Sequence, residues 1–177
     1  MADQDEIRVG VIGLGVGEAH IKSYQSVENC TVVSICDLDQ KRLNEIGNKY
    51  KIKNRTTDFT QITENSEIQI VSICSYDNFH MEHIISSLRN GKHVMVEKPA
   101  VLFPKEAEKV LEELQKSKLS LTSNLILRQS PRFIEIKQMV GNGELGKIFH
   151  IEADYLHNIL WKITTGWRGK MDFYCTV

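Results

Sequence analysis

The amino-acid sequence predicts an α/β fold: a doubly wound parallel sheet with helices on both faces, followed by the beginning of an α+β segment. Three observations predict it. Short apolar runs alternate with helix-period segments five or six times. The runs are continuously apolar instead of alternating apolar and polar, as strands covered on both faces are. A glycine-rich turn joins the first run to the first helical segment, at the edge where such sheets bind ligands.

Taken in order, Ile7–Ile12 (IRVGVI) reads as a buried strand, and residues 18–27 read as a helix. Residues 31–36 (TVVSIC) are β-branched and apolar, a second strand ending at Asp37. Asp39 suits the N-cap of a helix running to about Tyr50, with Leu43 and Ile46 at helical spacing. Residues 53–57 predict a short third strand and residues 59–64 a short helix. Residues 68–74 (IQIVSIC) are a fourth strand, and residues 79–90 a helix with Gly91 in the left-handed position after its end. A strand at His93–Val96, a helix over 104–118 and a strand within 119–127 complete the sheet. Pro131 opens one more helix, which Gly141 closes. Beyond Gly146 the pattern changes: residues 147–155 (KIFHIEADY) suggest a longer strand, and no period follows. No repeat or obvious linker interrupts the chain, and Asn142–Gly143 is the best candidate for a junction.

Composition narrows the function classes. The 177 residues are 41% hydrophobic and 25% charged, which is globular composition. Lys+Arg number 22 and Asp+Glu 23, so no whole-molecule field draws in nucleic acid or anionic lipid. No stretch approaches the roughly 20 apolar residues of a membrane helix, and the acidic start, Met1 to Glu6, is unlike a secretory signal. Cys30, Cys36, Cys74 and Cys175 form no CxxC pair and read as reduced thiols. The expectation is a cytoplasmic protein with no nucleic-acid or membrane partner.

The glycine turn carries the first chemistry. Gly13-Leu14-Gly15-Val16-Gly17-Glu18 ends the first strand and opens the first helix. Glycine permits a positive φ in the tight turn and lets a pyrophosphate approach the backbone. The helix start then offers N–H groups and the positive end of its dipole. Asp37, about 20 residues beyond Gly15 at the end of the second strand, can accept hydrogen bonds from both hydroxyls of an adenosine ribose, and it repels a 2′-phosphate. This Rossmann-type pattern favours NAD, with NADP kept possible by Lys41 and Arg42 nearby. One feature departs from GxGxxG: position 18 is Glu, and the last glycine comes one residue early, at Gly17. That glycine mainly allows close helix–strand packing, so a different helix start compensates. The turn alone also suits S-adenosylmethionine in a methyltransferase.

Two further segments decide between these ligands. Ser75-Tyr76-Asp77-Asn78-Phe79-His80 follows the fourth strand, and Gly91-Lys92-His93-Val94-Met95-Val96-Glu97-Lys98-Pro99 spans the fifth. With the glycine turn in register, GKHVMVEKP resembles the Gfo/Idh/MocA family of NAD(P)-dependent oxidoreductases, and NLILRQSP (124–131) and GELGKIFHIEAD (143–154) resemble that family's entry into its second domain. Ser75-Tyr76 stands where the family usually has Thr-Pro. The resemblance implies a Rossmann-type dinucleotide-binding domain at 1–124 and the start of an incomplete C-terminal substrate or oligomerisation domain at 125–177. It implies hydride transfer to or from a sugar-like or cyclitol secondary alcohol. Lys98 would be catalytic, polarising the reacting oxygen and stabilising a developing alkoxide, with Glu97 orienting or balancing its charge and often a cis peptide before Pro99. The implied cofactor-binding set is Gly13, Gly15, Val16, Gly17, Asp37, Ser75, Asn78, His80, Glu97 and Lys98; Asn124 and Arg128 face the substrate. His80 and His83 lie three apart on one helix, but with no third ligand zinc is not expected.

The family's second catalytic motif, which carries an Asp and a His, has no counterpart. Asp172 is not its Asp, because no partner His follows. Two readings therefore stand beside the oxidoreductase: a non-catalytic dinucleotide-binding module or inactive fragment, and, last, a methyltransferase, which leaves the Glu97-Lys98-Pro99 block unexplained. A strand at 147–155 would have no neighbour in its own chain. It would pair between subunits as a homo-oligomer, fold back on the sheet or be poorly ordered.

Overall fold

The computed structural model describes residues 6–165 and 169–170. Among the described residues, those up to Asn124 form one compact unit and those from Leu125 to 170 a second. The first contains β1 (Ile7–Ile12), α1 (Leu14–Tyr24), β2 (Cys30–Cys36), α2 (Gln40–Lys49), β3 (Asn54–Thr56), α3 (Thr60–Thr63) and β4 (Ile70–Ile73). A 3₁₀ turn, Asp77–Phe79, then leads into α4 (His80–Arg89), β5 (His93–Val96), α5 (Pro104–Ser117) and β6 (Leu121–Ser123). All strand pairs are parallel, in the order β3-β2-β1-β4-β5-β6. Strand order reverses between β1 and β4, and it is at the carboxyl ends of the strands at such a reversal that open α/β sheets bind ligands.

The apolar runs explain the two-sided sheet. In β1, Val9 and Val11 face one side with Leu14, Ile21, Val32, Ile35, Leu43 and Ile46 beneath α1 and α2. Ile12 faces the other, with Ile62, Val71, Ile73, Ile84, Leu88 and Val110 beneath α3, α4 and α5. Each such buried side chain stabilises the fold by about 1.5–3 kcal/mol relative to exposure. At Gly10 a side chain would put a Cβ 2.5 Å from Ile62 Cγ2, so α3 packs on bare backbone.

Local signals also act as expected. The Asp39 carboxylate accepts from the N–H groups of Lys41 and Arg42 and caps α2. Gly91 takes φ +75° after α4. Cys36 and Cys74 are buried free thiols, pushed up by burial to about 12, which removes the reactive thiolate at neutral pH. Cys175 lies outside the described residues.

Several expectations change. The first helix begins at Leu14, not residue 18, because the glycine turn itself starts the helix. The second unit contains a 3₁₀ turn, Ile126–Gln129, then α6 (Pro131–Gly141) and α7 (Leu160–Thr164). Asn142 and Gly143 form a turn within it, with the positive φ at Gly143, so they are not the junction. Residues 147–155 form no strand. A strand exists only by pairing, and none of the described residues pairs with them. No helix among the described residues is long and apolar enough to cross a membrane.

The two-sided core sets a testable contrast at the end of β2. Ile35→Ala, at a side chain with 0% exposure, lowers unfolding stability by about 2–5 kcal/mol. Leu38→Ala, 72% exposed three residues on, changes it by less than about 0.5 kcal/mol. Denaturant titration of the two variants measures both.

Candidate functional site

Each central strand ends at the same edge, and backbone bonds carry the ladder one residue past it. Gly13 N–H donates to Cys36 O (2.8 Å), Cys74 N–H to Ile12 O (2.7 Å), Glu97 N–H to Ile73 O (2.8 Å) and Asn124 N–H to Val96 O (2.8 Å). These bonds line up Asp37, Gly13, Ser75, Glu97-Lys98 and Asn124 in one row.

At the middle of the row the backbone turns tightly. Gly13 has φ +88°, and a Cβ there would lie 2.4 Å from Cys74 O; no other residue fits. At Gly15 nothing stands within 4 Å of that position. Of the four N–H groups at the start of α1, Gly13 uses Cys36 O, and Leu14 uses Asp37 Oδ2 at 2.7 Å. The next two, on the exposed Gly15 and Val16, have no acceptor in the helical pattern. Gly17 is buried, and a Cβ on it would lie 3.0 Å from Val11 Cγ1. It therefore performs the close packing of helix on strand. Glu18 turns to α2, bonding Lys49 Nζ (2.6 Å) and Tyr50 Oη (3.2 Å); the Lys49 bond holds its carboxyl below the usual range.

Asp37 is buried at the end of β2. Its Oδ1 accepts from Asp39 N–H (2.8 Å), and Arg42 Nη1 lies 3.6 Å from its Oδ2. A carboxylate has about four lone-pair sites, so acceptor capacity remains for a diol.

The loop after β4 is held from inside. His80 is 0% exposed, with Nδ1 2.7 Å from Pro99 O and Nε2 3.1 Å from Ser75 O. It ties two loops of the edge together and presents neither nitrogen to the cleft. Ser75 Oγ meets His83 Nδ1 at 3.0 Å. His83 packs against Phe59 and Phe79. Burial, aided by the neighbouring His80, pushes it down to about 4. Among the described residues, no cluster of three or more His, Cys, Asp or Glu has metal-site geometry. Asn78 Oδ1 is a buried acceptor with no donor.

Glu97 is the most densely bonded group of the edge. Its side chain is 14% exposed. Oε1 accepts from Asn124 Nδ2 (2.6 Å) and His20 Nε2 (3.1 Å), and Oε2 from Lys98 N–H (3.2 Å). Burial raises this carboxyl, but the bonds from His20, Asn124 and Lys98 outweigh it and bring it to about 2. Asn124, expected to face a substrate, thus commits one amide N–H to Glu97. Lys98 is exposed, and the Lys98–Pro99 peptide is cis. Arg128 is exposed in the 3₁₀ turn of the second unit. His20 and Ser72 are the site residues that sequence reasoning missed. Each left a signal: a His one turn after Gly17 on the buried face of a helix, and a Ser inside an apolar strand.

Residues 7–125 match the model of the Gfo/Idh/MocA family, described as an oxidoreductase family with an NAD-binding Rossmann fold. The chain belongs to this family. A myo-inositol 2-dehydrogenase of Thermotoga maritima is 30% identical over 142 residues, which is 80% of the chain and 42% of that relative. A probable dehydrogenase from Thermotoga maritima superposes with a TM-score of 0.76 at 30% identity, over 80% of the chain and 43% of the solved one. A myo-inositol 2-dehydrogenase from Lactobacillus plantarum does so with a TM-score of 0.76 at 26% identity, over 80% and 43%. This Gfo/Idh/MocA chain therefore spans less than half the length of these relatives.

Two acid-sensitive groups of this member separate by pH. His83 is held below its ordinary 6.5, so its contribution is full above pH 6.5 and is lost as pH falls towards 4. Glu97 is held below 4.5, so its contribution is full above pH 4.5 and is lost as pH falls towards 2. Urea unfolding along a pH series measures both. His83→Phe flattens the first window and leaves the second. Glu97→Gln removes its own share of the second, at most about 3 kcal/mol, leaves that of Glu18, Asp39, Asp58 and Glu113, and leaves the first.

Proposed function

We propose that this chain forms the dinucleotide-binding part of an oxidoreductase that transfers a hydride between NAD and a secondary alcohol of a cyclitol, polyol or sugar. One observation carries the reading. The row of chain ends presents, side by side, an anion-ready helix start, a ribose-competent carboxylate and an exposed lysine. The inositol specificity of named relatives supports the substrate class.

The residues present fit a dinucleotide. Gly15 leaves open space beside two N–H donors, and Asn78 Oδ1 waits buried for a donor. NAD, when bound, supplies the hydride acceptor. Gly13, Gly15, Val16 and Gly17 shape the pyrophosphate cradle; Asp37 accepts from the ribose hydroxyls, and Ser75 and Asn78 form the wall after β4. Arg42 beside Asp37 offsets part of its charge, so NADP binds more weakly than NAD but is not abolished. Lys98 donates to the reacting oxygen and stabilises negative charge developing there. An ammonium that donates to the oxygen cannot also accept its proton, so proton removal from the alcohol rests on a group outside these residues.

Calorimetric titration with NAD and NADP, followed by assay of NADH formation with myo-inositol, tests this. NAD binds, and Asp37→Ala weakens it by about tenfold or more through loss of charged hydrogen bonds. Lys98→Met leaves NAD affinity within about threefold and lowers any turnover by about a hundredfold or more. Failure of the unaltered chain to bind NAD overturns the proposal. Binding without turnover retains the dinucleotide site and removes the catalytic claim.

A further inference from the structure

We infer that His20 is a positioning residue: it registers the helix that opens at the glycine turn against the Glu97 carboxylate, and through Glu97 it sets the backbone that carries Lys98. The inference rests on the reading of Lys98 above for its purpose, and on geometry for its substance.

Hydrogen-bond polarity argues first. Glu97 is ionised over the whole neutral range and accepts only, so the His20 nitrogen that faces it, Nε2, carries the proton. Asn124 Nδ2, 3.4 Å from that same nitrogen, is a donor and finds no acceptor there. Its bond goes to Glu97 Oε1 at 2.6 Å. On the other side, His20 Nδ1 meets Ser72 Oγ at 2.9 Å, and Tyr24 also bonds Ser72. A hydroxyl both donates and accepts, so Ser72 can serve His20 Nδ1 while His20 Nε2 gives its proton to Glu97. Three donors, from His20, Asn124 and the Lys98 backbone, converge on one carboxylate.

The elements joined give the bonds their meaning. His20 is on α1, Ser72 in β4, Glu97 just past β5 and Asn124 just past β6. Gly15 and Val16 lie at the start of the same α1, and His20 is four residues beyond Val16, about 6 Å along a rigid helix. A shift of the phosphate-binding turn therefore moves His20, and Glu97 passes the displacement to the Lys98 N–H. A histidine placed here only to fill space is equally replaceable by an apolar ring. One that orients Glu97 is replaceable only by another N–H donor.

The test compares His20→Phe, which keeps the ring, with His20→Gln, which keeps a donor. Carbon-13 NMR of the Glu97 carboxyl and hydrogen exchange of the Lys98 amide are the readouts, with circular dichroism as the check on folding. In His20→Phe the Glu97 titration rises above about 2 while the Asn124 and Lys98 bonds remain, and Lys98 amide exchange quickens by about tenfold or more. His20→Gln restores most of both. Unchanged values in His20→Phe, or equal losses in Phe and Gln, overturn the inference. If His20→Phe does not fold, Ser72→Ala takes its place: it removes the donor to Nδ1 and is expected to quicken Lys98 exchange, and no change overturns the inference. NAD titration of the unaltered chain is read separately, so failure of the cofactor reading leaves these two signals to decide the role of His20.

Discussion

The site depends on one tight turn, that of Gly13 against the end of β4. With φ +88° and no room for a Cβ against Cys74, the chain leaves β1, turns and enters α1 within a single residue. Everything at the edge follows from that turn. It aims the start of α1 over the sheet, seats Gly17 against Val11, and brings the Leu14 N–H to Asp37. Residues far apart in sequence thereby become neighbours in one row.

Charge organises the other half of the row. Glu97 is half-buried yet ionised because its acceptor sites meet three donors, and burial without them favours the protonated carboxyl. The loops around it are tied by buried histidines. His80 bridges Ser75 O and Pro99 O, and His83 holds Ser75 Oγ. These contacts hold the loops that carry Asn78 and Lys98.

Much of the fold was legible because burial on both faces demands continuous apolar strands, and β1 and β5 fall where IRVGVI and HVMV predict them. The departure at Glu18 was legible as a departure, and its resolution required knowing that α1 begins at Leu14, which turns Gly17 inward and Glu18 outward. His20 was legible only as a polar residue one turn after Gly17, and its role was not, because that role depends on Ser72, Glu97 and Asn124 arriving from three other elements. Asn124 was placed at the site by its position after β6, but its bond to Glu97 is a tertiary fact. The strand expected at 147–155 failed for a different reason: apolar composition favours pairing but does not supply a partner.

The central claim is that a dinucleotide lies along this row of chain ends. Amide NMR of the isotope-labelled chain, titrated with NAD, tests it most directly. The account predicts saturable shifts confined to the amides of Gly13 to Gly17, Asp37 and Leu38, and Ser75 to Phe79, with the largest at Gly15 and Val16. Saturable shifts centred elsewhere, for instance on the polar hollow lined by Asn54, Arg55 and Gln61, would contradict it, as would the absence of any saturable shift.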